Sequence, residues 1–201
     1  MRIEGFILTG GASSRMGRDK ATLPFGETTL AGRAFEVLGH VAVNVRVVGE
    51  SIGGIPGVAD VFFSERAGTR ASIIGLHSAL FHARTEWAAV LACDLPFVSA
   101  EFFRRLAAIA EASGENFDAI VPAQPDGKLQ PLAALYRRDE CLNAVEAMLS
   151  ENNFRLTEFL NRVNTHIVPP VDYSDLDKSG RLLFNVNTPE ELAAAIEKLD
   201  D

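Results

Sequence analysis

The sequence predicts an α/β fold, with three layers (α/β/α) built on a mostly parallel sheet, and three observations lead there. The run from Ile3 to Leu8 is apolar and ends in Thr9, Gly10 and Gly11; such a run breaking at glycine reads as a buried strand entering a tight loop. Trp87 to Cys93, WAAVLAC, is continuously apolar, as expected of a central strand covered on both faces. Between and beyond these runs, strand-like segments alternate with stretches whose apolar residues recur at helical spacing, the pattern of a parallel sheet flanked by helices.

The bounds fit that class. A chain of 201 residues predicts one domain, here taken as residues 1–201, long enough to bury a full core. Hydrophobic residues make up 47% and charged residues 23%, which excludes the disordered and membrane classes. No apolar run approaches a membrane span, and the chain opens on a strand rather than a leader, so a cytoplasmic protein with no membrane partner is expected. The net charge of −8 argues against a nucleic-acid partner, which calls for a basic face. Cys93 and Cys141 sit in apolar patterns without a second ligand nearby, and read as buried free thiols.

The elements follow in order. After the glycine loop, Gly26 and Glu27 form the turn of a small hairpin, and Thr28 or Thr29 caps a helix through Phe35 and Leu38. Val41 to Val48 is β-branched and alternating, a strand; SIGGIPG is loop, and Val58 to Phe63 is a further strand. Ile73, Leu76 and Leu80 lie at helical spacing, with His77 and His82 as surface or packing histidines of that helix. Ser99 caps a helix carrying Phe102, Leu106 and Ile109. Asp118 to Pro122 reads as a strand, Pro125-Asp126-Gly127 as a turn, and Gln130 to Tyr136 as another strand. Two helices follow, Asp139 to Leu149 and Arg155 to Arg162, then a loop from Pro169 to Gly180. Thr188, Pro189 and Glu191 make a capping box for the last helix.

Two places carry chemistry. Ser13 and Ser14 supply hydroxyls, and Arg15, Arg18 and Lys20 place three cations within six residues of a glycine loop, a combination suited to a polyanion such as a phosphate chain. In an acidic protein this is the densest positive charge. It is neither G-x-x-x-x-G-K-[ST] nor G-x-G-x-x-G, and a solvated turn with surface charge is the alternative. The second place is Asp94, a carboxylate at the end of the central apolar strand, followed by Leu95 and Pro96. Magnesium is commonly held by one or two carboxylates plus substrate phosphates, so Asp94 is a candidate metal ligand; capping of the next turn is the alternative. Asn185 and Asn187, two apart in an extended stretch, point the same way.

LTGGASSRMGRDK, from Leu8 to Lys20, resembles the L-x-G-G-x-S-x-R-M-G-x-D-K signature of the molybdenum cofactor guanylyltransferase family. Cys93-Asp94-Leu95-Pro96 matches that family's C-D-x-P, and FNVNTPEEL from Phe184 to Leu192 matches its C-terminal motif. The resemblance implies a Rossmann-like nucleotidyltransferase fold and transfer of GMP from GTP to molybdenum-molybdopterin, with pyrophosphate released. It implies Mg²⁺ as cofactor, and GTP, a molybdopterin-type acceptor and possible molybdoenzymes as partners. Arg15, Lys20 and Asp94 become the catalytic candidates. Leu8, Thr9, Gly10, Gly11, Lys20, Glu65, Asp94, Asn185 and Asn187 become the binding candidates, Asp94 also holding the metal. Gln130 and Arg155 are candidate acceptor contacts, or an edge-strand polar residue and a solvated arginine. The chain departs from the family at Ala71 to Gly75, where G-P-L-x-G is usual, and at Glu65, where aspartate is usual. The rivals are a CTP-dependent or sugar-phosphate nucleotidyltransferase, a cofactor-delivery adaptor that binds nucleotide without chemistry, and a dehydrogenase, which the missing G-x-G-x-x-G disfavours.

Overall fold

The computed structural model describes residues 1–9, 20–49, 52–58 and 72–197. Among these residues, seven strands form one sheet. Four of them, β1 (Ile3–Leu8), β4 (Asn44–Val48), β5 (Gly57–Val58) and β6 (Trp87–Ala92), run parallel in the order β5-β4-β1-β6. Beyond β6 the sheet continues with β8 (Ala133–Arg137), β7 (Ala119–Pro122) and β9 (Thr165–Val168). Only β8 is antiparallel to its neighbours, so β7 and β9 point the same way as β1 and β6. Separately, β2 (Pro24–Phe25) and β3 (Thr28–Thr29) make the small hairpin expected around Gly26.

Both central strands are buried at every position, and alternate residues feed two cores. Ile7, Val47, Leu91 and Leu135 face α1 (Leu30–Gly39) and α3 (Ala100–Ser113). Phe6, Val48, Val90 and Tyr136 face α2 (Ser72–His82), α4 (Arg138–Ser150) and α5 (Leu156–Leu160). This two-sided burial makes the three layers, and it is why β1 and β6 read as unbroken apolar runs.

Local signals account for the helix ends. Thr29 Oγ1 accepts from Gly32 N–H, Ser99 Oγ from Phe102 N–H, and Thr188 Oγ1 from Glu191 N–H at the start of α6 (Pro189–Ile196). After α4 the chain turns at Asn152, whose φ of 58° lies in the left-handed region that asparagine tolerates better than most residues. His77 is a packing histidine, buried in α2 with Nε2 3.6 Å from Glu146 Oε1.

Two expectations are corrected, and one strand is new. The strand expected from Gln130 begins at Ala133, because Pro131 has no N–H for a ladder and Gln130 instead closes a turn, its carbonyl accepting from Ala133 N–H at 3.2 Å. The strand expected from Val41 starts at Asn44, since Val41 and Ala42 N–H still bond back to Leu38 at the end of α1. The four-residue β9 was not expected at all. Of the strand expected over 58–63, only the start lies among the described residues.

Candidate active site

The carboxyl ends of β1 and β6 lie side by side, with Cys93 N–H donating to Leu8 O at 3.1 Å. In open α/β sheets this is the end at which ligands bind. Lys20, in a short 3-10 turn at Lys20–Thr22, and Asp94, just past β6, meet there. Lys20 Nζ lies 3.0 Å from Asp94 Oδ2 and 3.3 Å from Asn187 Oδ1. Both charged side chains are half-shielded, at 13% and 22% exposure, so the pair acts in a less screened medium than a surface ion pair. An ammonium has three donors; among the described residues two are engaged. Asp94 Oδ1 is buried and accepts no hydrogen bond from the described residues.

The C-terminal motif crosses the same end of the sheet. Val186 is fully buried, and its N–H donates to the carbonyl of Asp94 at 2.8 Å. That anchor places Asn185 and Asn187 on the side away from the core, as their spacing of two implies. Asn187 reaches Lys20, while Asn185 Oδ1 accepts from Gln130 Nε2 at 2.8 Å. The capping box holds the motif from below: Glu191 Oε2 accepts from the N–H groups of Asn187 and Thr188 at 2.6 and 3.1 Å.

Lys20, Asp94, Asn185 and Asn187 are thus brought together. Leu8 is placed differently in kind: its side chain is core, 5% exposed and packed toward α2, so it supports the loop entrance and only its backbone faces the strand ends. Thr9 Oγ1 donates to Val48 O at 3.2 Å, tying that entrance to β4. Gly10, Gly11, Arg15 and Glu65 lie outside the described residues. Arg155 is well exposed and pairs with Glu158 at 3.4 Å. Two contacts were missed by sequence reasoning. Val186 acts through its backbone, which no residue type announces, and the Gln130–Asn185 pair joins polar residues 55 positions apart.

Among the described residues there is no group of three or more His, Cys, Asp or Glu side chains fit to hold a metal ion. The two cysteines are buried and form no disulfide, and burial drives the Cys141 thiol well above its usual range. No described helix is long and apolar enough to cross a membrane.

Known proteins resemble the chain along its whole length. It is 33% identical over 97% of its length to a protein of Pelotomaculum thermopropionicum named "Probable molybdenum cofactor guanylyltransferase", covering 92% of that relative. It is 27% identical to the molybdenum cofactor guanylyltransferase of Desulfosudis oleivorans, over 96% of this chain and 94% of the other. Among solved structures, molybdopterin-guanine dinucleotide biosynthesis protein A from Archaeoglobus fulgidus superposes with a TM-score of 0.81 at 24% identity, over 98% of each chain. A 2-C-methyl-D-erythritol 4-phosphate cytidylyltransferase from Thermus thermophilus shares the fold, with a TM-score of 0.66 at 15% identity over 98% of each chain. Residues 5–166 match the model of the MobA-like NTP transferase domain. With that match reaching across the sheet, and Lys20, Asp94 and Asn187 in contact at the carboxyl ends of β1 and β6, the chain belongs to the MobA-like NTP transferase family.

Proposed function

We propose that the chain transfers GMP from GTP to the phosphate of molybdenum-molybdopterin, giving the guanine dinucleotide cofactor and pyrophosphate. One observation carries the reading: a lysine, an aspartate and an asparagine far apart in sequence converge on a single point at the carboxyl ends of β1 and β6, in a chain whose near full-length relatives bear the guanylyltransferase name.

A phosphate oxygen of the acceptor attacks the α-phosphorus of GTP. A new P–O bond forms there, the bridge to the β-phosphate breaks, and pyrophosphate leaves with the bond pair. No covalent enzyme nucleophile is required, because such transfers depend mostly on positioning and charge neutralisation. In this reading Lys20 and Arg15 bind the triphosphate, Gly10 and Gly11 let the backbone approach it, and Leu8 and Thr9 fix where that backbone starts. Glu65 contacts the nucleotide. Asn185 and Asn187 face the acceptor side.

Mg²⁺ fits the residues present. Asp94 is a hard oxygen ligand whose buried Oδ1 is uncommitted among the described residues, and one carboxylate with substrate phosphates is a common magnesium environment. Asp94 would hold the ion, which would supply charge neutralisation on the phosphates.

The test is pyrophosphate release from each of the four nucleoside triphosphates with Mg²⁺, with and without molybdopterin acceptor. Acceptor-dependent release from GTP alone is the expected result. Release from CTP instead would reassign the base, and tight GTP binding without release would replace the transferase with a delivery adaptor.

A further inference from the structure

Gln130 is one of few buried polar side chains here, 7% exposed, and nothing in the transfer chemistry above uses it. Its backbone is held on both sides: its N–H donates to Pro122 O at 2.8 Å and its carbonyl accepts from Ala133 N–H. The next residue is pinned as well, with Tyr136 Oη donating to Pro131 O at 2.6 Å. From this fixed turn, Gln130 Nε2 donates to Asn185 Oδ1 at 2.8 Å.

An asparagine amide has an acceptor end and a donor end, and its polarity is set by what its neighbours supply. At Asn187 the neighbour is an ammonium, which can only donate, so Oδ1 turns to Lys20. At Asn185 the neighbour is the Gln130 amide, which carries both a donor and an acceptor and here presents its donor, Nε2, to Oδ1. Buried Val186, tied to Asp94 O, keeps the two amides on one side of the chain. Both acceptor ends are therefore committed, which leaves the NH₂ end of each amide to meet a ligand, with Lys20 beside Asn187. A pair of amide donors next to an ammonium suits an oxyanion.

We propose that Gln130 is a positioning residue that sets the affinity for the phosphate-bearing acceptor by holding the Asn185 amide with its donors toward the acceptor's phosphate. This rests on the guanylyltransferase reading for the identity of the acceptor. Without the Gln130 donor, the Asn185 amide is no longer held in one orientation, and the acceptor must order it on binding. Lys20 secures Asn187 independently, so the effect is confined to the acceptor side.

The test compares wild type, Gln130→Met, Gln130→Glu, Asn185→Ala and the Gln130→Met/Asn185→Ala double variant. Acceptor Kd comes from titration of molybdopterin without GTP, the two KM values from pyrophosphate release, and fold integrity from thermal melting. Loss of one well-placed donor corresponds to roughly a tenfold change. Gln130→Met raises acceptor Kd and KM by about that factor while GTP KM stays at the wild-type value, and adding it to Asn185→Ala changes neither further. Gln130→Glu, which keeps the size but accepts instead of donating, weakens the acceptor more. An unchanged acceptor Kd in both Gln130 variants, or an effect that persists undiminished in the Asn185→Ala background, overturns the proposal. So does a wild type that does not bind the acceptor. A wild type that binds the acceptor but releases no pyrophosphate overturns the transferase reading, while Kd still decides the role of Gln130.

Discussion

Lys20 and Asp94 are 74 positions apart and meet with Nζ 3.0 Å from Oδ2. In the proposed reaction each has another partner: the ammonium a phosphate oxygen, the carboxylate a divalent cation. The ion pair thus holds both groups at the right place in the free protein, with their charges balanced.

Removing the cation separates these two roles. Lys20→Ala is expected to lower the rate of pyrophosphate release on the order of hundreds-fold, the usual effect of losing one charged transition-state contact. Lys20 lies on a short turn outside the apolar pattern, so the melting temperature should fall by no more than about 4 °C, a shift equivalent to roughly 1 kcal/mol for a chain of this size. Thermal melting beside the steady-state assay checks both. A large drop in melting temperature with near-normal turnover would show Lys20 to be structural.

The capping box gives a prediction about stability. Thr188 Oγ1 accepts from Glu191 N–H at 3.1 Å, and Glu191 returns the bond. Thr188→Ala should cost about 1 kcal/mol, and Thr188→Ser should recover most of it. Chemical denaturation measures this, and two indistinguishable midpoints would show the cap to be redundant.

Burial makes stability depend on alkaline pH. Tyr173 Oη donates to Ala123 O at 2.6 Å, and burial pushes its phenol from 10.0 up to about 12. The folded form then binds the proton more tightly than the unfolded chain, so this contribution is complete below pH 10 and is lost as pH rises toward 12. Tyr136, fully buried, shifts in the same direction. The Tyr173→Phe variant should be less stable at neutral pH, through its lost hydrogen bond, yet lose about 1–2 kcal/mol less than wild type across that window. Denaturant unfolding at several pH values reads the slope, and equal slopes would remove Tyr173 as the cause.

What the sequence conveyed, it conveyed through local or periodic signals. Ile3 to Leu8 and Trp87 to Ala92 were legible as central strands because burial on both faces leaves no polar alternation. Thr29, Ser99 and Thr188 were legible as caps because a cap bonds within three residues. Asn185 and Asn187 were legible as neighbours because extended chain repeats every two residues. The reversal of β8 was not, since an antiparallel strand in an otherwise parallel sheet has no signature of its own. Nor was β9, where Thr165 to Val168 offers only four residues of pattern. The bonds from Val186 to Asp94 and from Gln130 to Asn185 join distant stretches, and only the fold brings them into reach.

The buried Val186, tied to the carbonyl of Asp94, also bears on how the protein is made. A growing chain emerges in one direction, and the stretch around Val186 appears well after Asp94, to which it is bonded. At typical synthesis rates it follows Asp94 by roughly 5 to 19 seconds. During that interval Lys20 and Asp94 are both present, but the amides are not. In the proposed reading, a chain interrupted by a stalled ribosome before Asn185 has the charges assigned to the nucleotide and lacks the amides assigned to the acceptor.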